Sequence, residues 1–555
     1  MTRVAAVQLA AGSDVAVNLA TCLRLIDDAA AHAPDLVVLP EFCNHLSWYA
    51  DRDHAHRMAC RIGDRFLGAI AERAARHRMY VKIGVTLARE DGRTTGTSLL
   101  FGPDGALLGQ SDKQILMGAE NDHLDPGDSD SEIVDTPLGR IGLYACMEGV
   151  ICEVTRSLAV RGAQLLLNSL NSFATDEASL HIPVRAAENK VWVVAANKVG
   201  PLLPEDELPS IAAGLGVPPD RLHGAGESQI VAPDGTTVAR APARGEAVIV
   251  ADIDIGLADD KRRPDGTDVL AARRPRLYAP MLDISPRRAP AGAQTIPAAA
   301  ALADPGLIGD IAHSGAALIV LPALTGTASA EPAPATVSIP EVAAALRGTA
   351  AHVVLSLRDG DAHVGVLVNA EGVVGYQRQL HRTERHPWLS DLGDALEIFD
   401  MSWGRMALVV GDDALFPETF RLAAVRDADV VAVPHALGEP WETRLGLPER
   451  AAENRLNIVA AAVDSTGALA GSIYALSPDF TLWTAWSGPF TGVISTPQVT
   501  SAPPGADRVQ ADIRPAQAVN RAVSRGTDLV AGRPAAAVSA LLREPATATT
   551  EPELP

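Results

Sequence analysis

The chain has 555 residues and a formal net charge of −21 at pH 7. A chain of this length is too long for one hydrophobic core, so we expect two or more domains. The acidic balance excludes a general nucleic-acid binder, which would carry a basic surface. No apolar run approaches the ~18 residues that cross a bilayer, so we expect no membrane partner.

All five cysteines lie in the first third of the chain: Cys22, Cys43, Cys60, Cys146 and Cys152. Small secreted domains carry dense, even sets of disulfide-bonded cysteines, so this odd set favours a reduced, cytoplasmic setting. The apolar stretch that starts at Val4 is broken by Gln8. We interpret it as a buried first strand rather than a signal peptide.

Short apolar runs alternate with longer helical patterns along the first half of the chain. The runs 4–9, 36–39 and 81–86 predict strands, and the patterns 19–32 and 63–77 predict helices. Turn sequences built on Pro-Asp-Gly, at 101–105 and 232–235, predict β-hairpins. Together these elements predict mixed α/β layers with some antiparallel pairing.

Several segments occur twice in the same order. The matched pairs are 35–40 with 317–322, 139–148 with 404–413, 161–167 with 426–431, 185–189 with 450–454, and 251–253 with 511–513. We interpret the chain as a tandem duplication. The expected division is a catalytic domain at 1–284, a linker at 285–296, a second domain at 297–542 and a disordered tail at 543–555.

Cys146 follows the apolar run 141–145 and is therefore expected at the end of a strand, where α/β folds place ligands. A catalytic cysteine needs a base to form the thiolate and a donor or cation for the oxyanion. Taken alone, an unpaired cysteine after a strand is more often a packing residue. The neighbouring motifs decide between the two interpretations.

Three motifs occur in a characteristic order: Leu39-Pro40-Glu41-Phe42, Asp112-Lys113-Gln114-Ile115-Leu116 and Ala145-Cys146-Met147-Glu148. With the blocks at 185–189, 196–197 and 224–235, they make the chain resemble the nitrilase superfamily, the carbon–nitrogen hydrolases. The resemblance covers nearly all of the first copy and continues more weakly through the second.

The resemblance implies a role for each motif residue. Glu41 would be the general base, and Lys113 would stabilise the oxyanion together with the backbone N–H of Met147. Cys146 would be the nucleophile that forms a thioester. Glu120, seven residues after Lys113, matches the family's second, positioning glutamate. This chemistry requires no metal and no cofactor.

The substrate pocket is expected around the residues that follow the catalytic strands. Glu148 either orients the nucleophile loop or faces the substrate. The other expected wall residues are Phe42, Trp48, Tyr49, Asn168, Asn171 and Phe173. The His and Asp residues of 51–56 are interpreted as a charged loop or helix start, because a metal site needs at least three well-placed ligands.

The second copy lacks the three reactive side chains. The positions of Glu41 and Cys146 hold Ala323 and Gly411, and that of Lys113 falls at Gln377 or Arg378. The resemblance implies two four-layer αββα sandwich domains that form an intramolecular pseudo-dimer, with a further homodimer left open. The second domain would be a non-catalytic partner that supports the first.

The leading functional hypothesis is a cysteine-dependent amidohydrolase that cleaves a small amide or carbamoyl compound to a carboxylate and ammonia or an amine. A nitrilase acting on a small nitrile is the alternative within the family. A non-catalytic binding or scaffold protein is the alternative outside it. A thiol at Cys146 with a depressed pKa would support an enzyme, and an inert thiol would support packing.

Overall fold

The computed structural model describes residues 1–283, 291–327, 336–482 and 484–544. Half of the predicted linker, 285–290, and most of the predicted tail, 545–555, lie outside the described residues. Within the described residues, no helix is both long enough and apolar enough to cross a bilayer. Residues 1–283 are called the first half below, and residues 291–544, as described, the second half.

The first half contains strands and helices that alternate along the chain. Its strands are β1 Thr2–Gln8, β2 Leu36–Val38, β3 Tyr80–Ala88, β4 Thr94–Phe101, β5 Leu107–Asp112, β6 Ile133–Thr136, β7 Gly139–Ala145, β8 Leu165–Ser169, β9 Trp192–Ala196, β10 Gln229–Val231, β11 Thr237–Arg240 and β12 Ala247–Ile253. Its helices are α1 Val15–Ala30, α2 Arg52–Met58, α3 Arg65–His77, α4 Glu120–His123, α5 Cys152–Val160, α6 Ile182–Asn189 and α7 Leu208–Leu215.

The local sequence explains where these elements begin and end. Asp14 and Asp64 cap α1 and α3, since their carboxylates accept hydrogen bonds from the first free backbone N–H groups of each helix. The cap places the start of α1 at Val15, four residues before the predicted start. The predicted strands correspond to β1, β2 and β3, and both predicted hairpins form, as β4–β5 and β10–β11.

The strands of the first half form two six-stranded mixed sheets. The first sheet has the order β12-β1-β2-β3-β4-β5 and the second β11-β10-β9-β8-β7-β6. One apolar core packs α1 and α3 on the first sheet, another lies between the sheets, and a third packs α5 and α6 on the second sheet. The layers therefore run helix, sheet, sheet, helix.

The second half repeats this strand order. Its strands are β13 Ile296–Ala301, β14 Leu318–Val320, β15 Gly326–Thr327, β16 Val337–Ser338, β17 His352–Asp359, β18 Ala362–Asn369, β19 Gly372–Arg378, β20 Ile398–Met401, β21 Gly404–Leu408, β22 Val430–Pro434, β23 Asn457–Ala461, β24 Ser472–Ala475, β25 Gln498–Ser501, β26 Arg508–Ile513, β27 Ala522–Ser524 and β28 Thr527–Asp528. Its helices are α8 Pro305–His313, α9 Ile339–Ala345, α10 Pro417–Val425, α11 Leu447–Asn454 and α12 Ala535–Leu541.

The third sheet runs β26-β13-β14-β17-β18-β19 and the fourth β25-β24-β23-β22-β21-β20. Both orders match those of the first half strand for strand. Apolar cores again lie outside the third sheet, between the sheets and outside the fourth sheet. The first strand, β13, begins at Ile296, one residue before the predicted start of the second domain.

Buried charges join the two halves in reciprocal pairs. The Arg156 guanidinium donates to Glu418 across 2.9 Å, and the Arg421 guanidinium donates to Glu153 across 3.1 Å. These four residues lie on α5 and α10, which occupy corresponding places in the two halves. All four side chains are fully buried, so each charge depends on its partner in the other half.

A second reciprocal set lies on α6 and α11. Arg185 pairs with Glu453 at 2.8 Å, and Arg450 pairs with Glu188. Each half also sends an arm onto the other: the turn Pro275–Leu282 packs against α10, and α12 packs against α5. The contact between the two halves therefore combines buried ion pairs with packed helices and turns.

Candidate active site

Three strand ends meet at one edge of the first half. Glu41 follows β2, Lys113 follows β5 and Cys146 follows β7. Backbone hydrogen bonds fix the first two, since Glu41 N donates to Leu170 O and Lys113 N donates to Gly96 O. Residues far apart in sequence are thereby brought to the same end of the two facing sheets.

Lys113 lies between two carboxylates. Its Nζ is 2.8 Å from Glu120 Oε2 and 3.0 Å from Glu41 Oε1, and it sits 5.5 Å from the centre of the Phe42 ring. Burial alone would lower the pKa of Lys113, but Glu120 and Glu41 outweigh it and hold the pKa well above its ordinary value. The ammonium is therefore a fixed positive charge.

Glu41 combines deep burial with a free oxygen. Burial raises its pKa to about 7, against the opposing effect of Lys113. Its Oε2 is buried and has no hydrogen-bond partner among the described residues. A carboxylate with a pKa near neutrality and an open lone pair is suited to accept a proton.

Cys146 occupies a strained turn at the end of β7. Its φ is +49°, a left-handed backbone conformation that residues other than glycine rarely adopt. Its backbone N–H donates to Asn168 Oδ1 across 3.0 Å. Burial raises the pKa of the thiol well above its ordinary value, with Lys113 opposing. The thiol is therefore protonated at rest and needs a base to form the thiolate.

Glu148 holds the turn that carries Cys146 in place. Its two carboxylate oxygens accept hydrogen bonds from Gln114 N and Ala145 N, each across 2.8 Å. One side chain thereby ties the segment after Lys113 to the residue before Cys146. Of the two predicted roles of Glu148, these contacts favour orientation of the loop over contact with substrate.

A cavity of about 330 Å³ opens onto Cys146. The predicted residues that line it are Trp48, Glu120, Cys146, Asn171 and Phe173. The other expected wall residues do not line it: Phe42, Tyr49, Glu148 and Asn168. The Phe42 ring is buried beside Lys113, and the Tyr49 hydroxyl lies 2.6 Å from Thr86 Oγ1.

Two further predicted residues, Asn168 and Met147, lie at the turn that carries Cys146. Asn168 accepts the backbone hydrogen bond of Cys146 and is fully buried. The Met147 side chain packs in an apolar cluster that includes Phe480 and Ile494 of the second half. The second half therefore contacts the residue directly after the thiol.

Sequence reasoning missed most of the residues that line the cavity. In the first half the missed residues include Leu202, Leu203, Ile211, Leu215 and Leu222, and in the second half Thr481, Leu482, Ile494, Val523 and Arg525. The apolar spacing within 208–215 is a usable helix signal for α7. Nothing local in the sequence signals that residues beyond 480 reach this cavity.

In the second half, side chains fill the place that corresponds to the cavity beside Cys146. Gln379 N donates to His363 O just as Lys113 N donates to Gly96 O, so Gln379 stands at the lysine position. The expected Gln377 or Arg378 is wrong because the backbone pairing of β18 with β19, not the similarity of side chains, sets the correspondence. His363 Nδ1 lies 2.7 Å from Gln379 Oε1, and a Cβ on Gly411 would meet both side chains at 2.6 Å.

No group of three or more His, Cys, Asp or Glu side chains is placed to hold a metal ion within the described ranges. In the segment 51–56, the Asp51 carboxylate accepts a hydrogen bond from His54 N and caps α2. The segment is therefore a helix start, one of its two predicted forms.

The carbon–nitrogen hydrolase family model matches residues 3–263. Omega-amidase NIT2 of Bos taurus is 31% identical over 269 residues, which cover 46% of this chain and 88% of that protein. A nitrilase of Pyrococcus abyssi is 28% identical over 47% of this chain and 92% of its own. N-carbamoylputrescine amidase of Arabidopsis thaliana is 26% identical over 50% and 94%.

Among solved structures, an amidase from Nesterenkonia sp. AN1 aligns with a TM-score of 0.37 at 22% identity, covering 47% of this chain and 97% of that one. The sequence relatives, the family model and the ordered motifs agree. The chain belongs to the carbon–nitrogen hydrolase family, and the protein is a hydrolase of carbon–nitrogen bonds other than peptide bonds.

Proposed function

We propose that the protein is a cysteine-dependent amidohydrolase that cleaves a small amide or carbamoyl compound through a thioester on Cys146. The observation that carries this proposal is the placement of Lys113 between Glu41 and Glu120 next to a cavity that reaches the Cys146 thiol. It supplies a base, a fixed cation and a nucleophile in one buried place.

In the first stage, Glu41 takes the thiol proton and the sulfur bonds to the amide carbon. The resulting oxyanion is stabilised by Lys113 and by the backbone N–H of Met147. The carbon–nitrogen bond then breaks as Glu41 returns the proton to the leaving nitrogen, which departs as ammonia or an amine. The acyl group remains as a thioester on Cys146.

In the second stage, a water molecule gives a proton to Glu41 and its oxygen bonds to the thioester carbon. The carbon–sulfur bond breaks, Glu41 returns that proton to the thiolate, and the product leaves as the carboxylic acid, which loses its remaining proton to solvent. Glu120 positions Lys113 throughout, because its two oxygens lie 3.0 and 2.8 Å from the ammonium. The cycle consumes one water and needs no cofactor.

A nitrilase reaction is the second candidate, favoured by the similarity to the Pyrococcus abyssi protein named nitrilase. In that reaction the sulfur would add to a nitrile carbon and water would release ammonia from a thioimidate. Ammonia release from a panel of amides, carbamoyl compounds and nitriles distinguishes the two, and a protein that releases none from any compound would instead support a scaffold.

The control variants for this panel are Cys146→Ala and Cys152→Ala. Cys152 is fully buried on α5 and does not line the cavity. We expect Cys146→Ala to abolish ammonia release and Cys152→Ala to retain it. Equal turnover by wild type and Cys146→Ala would discard the mechanism.

We also propose that residues 297–542 are a degenerate copy that serves as a built-in, non-catalytic dimer partner of the catalytic domain 1–284. The repeated strand order and the reciprocal ion pairs between α5 and α10 support this pairing. Ala323, Gln379 and Gly411 leave the copy without base, cation or nucleophile. The five unpaired cysteines support a reducing, cytoplasmic setting.

Expression of residues 1–284 alone tests the partner role. We expect an aggregated or self-associated product with little activity, because Arg156 would lose Glu418, and Arg185 would lose Glu453 and keep only Glu188. A soluble and fully active monomer would contradict the proposal.

A further inference from the structure

Two long segments interrupt the otherwise matching strand orders of the two halves. Between β9 and β10 the first half has residues 197–228, which include α7, whereas the second half crosses the same place in 462–471. Between β24 and β25 the second half has residues 476–497, whereas the first half makes the tight turn 232–236. Each half is therefore extended where the other is short.

The two segments meet over the cavity that holds Cys146. Leu208 and Leu222 of the first segment pack in one apolar cluster with Phe490 of the second. Leu215 from α7 and Leu482 from the second half both line the cavity. The side chains that cover the thiol thus come from both halves.

Hydrogen bonds anchor the second-half segment to the first half. Thr175 N donates to Gly492 O across 2.9 Å, and the Arg221 guanidinium donates to Thr491 O across 2.8 Å. The buried Asp176 carboxylate accepts from Ile494 N at 3.1 Å and from Ser495 N at 2.9 Å. These contacts hold residues 491–495 against the first half, and Ile494 among them lines the cavity.

The cavity lining is mostly apolar, and its described polar members, which include Thr481, Ser524 and Arg525 of the second half, offer no free positive charge. Among the described residues that line the cavity, Arg525 carries the one guanidinium, and both of its terminal nitrogens donate to the Asp122 carboxylate. Burial lowers the pKa of His123, which also lines the cavity, so this ring is neutral at pH 7. A carboxylate on the substrate would be desolvated here without a partner.

We propose that the second half supplies the specificity wall of the active site, built around Leu482, Ile494 and Val523, and that this wall selects neutral amides with an apolar acyl chain over amides that carry a carboxylate. The proposal rests on the proposed amidohydrolase function. The cavity volume of about 330 Å³ is at the lower end of the range for small-molecule pockets, which favours acyl chains of a few carbons.

The test uses the full chain and four primary amides: acetamide, butyramide, hexanamide and the half-amide of succinic acid. Ammonia release gives kcat/KM for the wild type and for Leu482→Asp, Leu482→Ala and Val499→Ala. Leu482 is half-buried, so its substitution is compatible with folding, which the thermal transition checks. Val499 is exposed on β25 outside the cavity and serves as the matched control.

We expect wild-type kcat/KM to rise from acetamide to hexanamide and to be at least about tenfold lower for the succinic half-amide than for butyramide. Leu482→Asp should lower kcat/KM for hexanamide about tenfold or more while acetamide changes less than about twofold. Leu482→Ala should give a smaller loss of the same pattern, and Val499→Ala none.

Three outcomes would overturn the proposal. A wild type that hydrolyses acetamide but prefers the succinic half-amide rejects the apolar specificity and leaves the amidohydrolase function standing. An equal loss for all four amides in Leu482→Asp assigns this residue a purely structural role. No ammonia from any of the four amides overturns the specificity wall, and the proposed function falls with it only if carbamoyl compounds also release none.

Discussion

Burial sets the protonation states of the individual residues at the active site. The Cys146 thiol and the Glu41 carboxyl are both removed from water, and the pKa of each rises. Lys113 is equally buried, yet two carboxylates keep its ammonium charged. The resting site therefore holds a neutral thiol, a carboxyl group near its own pKa and a permanent cation, which supports the proposed proton transfer from sulfur to carboxylate.

The first prediction concerns the pH dependence of that transfer. Glu41 must be ionised to accept the thiol proton, and its pKa is about 7. For a neutral amide, kcat/KM should therefore fall about tenfold per pH unit below 7 and level off above it. Glu41→Gln should lose about 10²-fold or more at pH 8.

The control for this prediction is Glu246→Gln, which removes an exposed carboxylate that pairs with Arg24. It should keep both the rate and the pH profile of the wild type. A wild-type profile that stays flat between pH 5 and 8 would show that Glu41 is not the titrating base.

At the scale of single elements, the turn after β7 and its counterpart after β21 have similar backbone conformations but different surroundings. Cys146 and Gly411 have φ values of +49° and +57°. In the first half the space beside the turn is a cavity, whereas in the second half Gln379 and His363 occupy it. Glycine adopts this left-handed conformation freely, whereas at Cys146 the same conformation is strained.

The second prediction follows from that crowding. A Cβ at Gly411 would meet Gln379 Oε1 and His363 Cε1 at 2.6 Å in a left-handed backbone. Gly411→Ala should therefore lower the free energy of unfolding by about 1–3 kcal/mol, measured by chemical denaturation. Gly411→Cys should restore no second active site.

Gly214→Ala is the matched control, since Gly214 is exposed in the last turn of α7 with no atom near its added Cβ. It should stabilise the protein by about 0.5–1 kcal/mol, as alanine does in a helix. Equal stability of Gly411→Ala and the wild type would mean that the two side chains yield freely.

The elements differ in how far sequence alone could predict them. Apolar runs such as 36–39 specify buried strands, and Pro-Asp-Gly specifies hairpins, because both signals are local. The position of Gln379 was missed because pairing across a hairpin sets it. Leu482 was missed because its contact with the cavity joins the two halves, and no periodic pattern encodes such a contact.

At the scale of the whole molecule, the contact between the halves is built from buried charges rather than from apolar side chains alone. Glu418 accepts from both Arg156 and Arg273, at 2.9 and 2.7 Å. Burial alone would raise its pKa, but the two arginines outweigh it and hold the pKa well below its ordinary value. Removing Glu418 leaves two buried guanidinium groups without their carboxylate, so these contacts between the halves contribute to stability.

The last prediction tests the reciprocity of this contact. Glu418→Gln and Glu153→Gln each remove one carboxylate from equivalent pairs, so each should lower the free energy of unfolding by about 3–5 kcal/mol. Because the folded pKa of Glu418 is depressed, its stabilisation is fully present above the unfolded value of about 4.3 and is lost as pH falls through the folded value. The acid-induced loss of stability should therefore be shallower in Glu418→Gln than in the wild type. Denaturation midpoints between pH 3 and 8 measure both effects. Asp260→Asn, at an exposed ion pair with Arg262, should leave the midpoint unchanged, and a neutral result for Glu418→Gln would show that the halves do not rely on these charges.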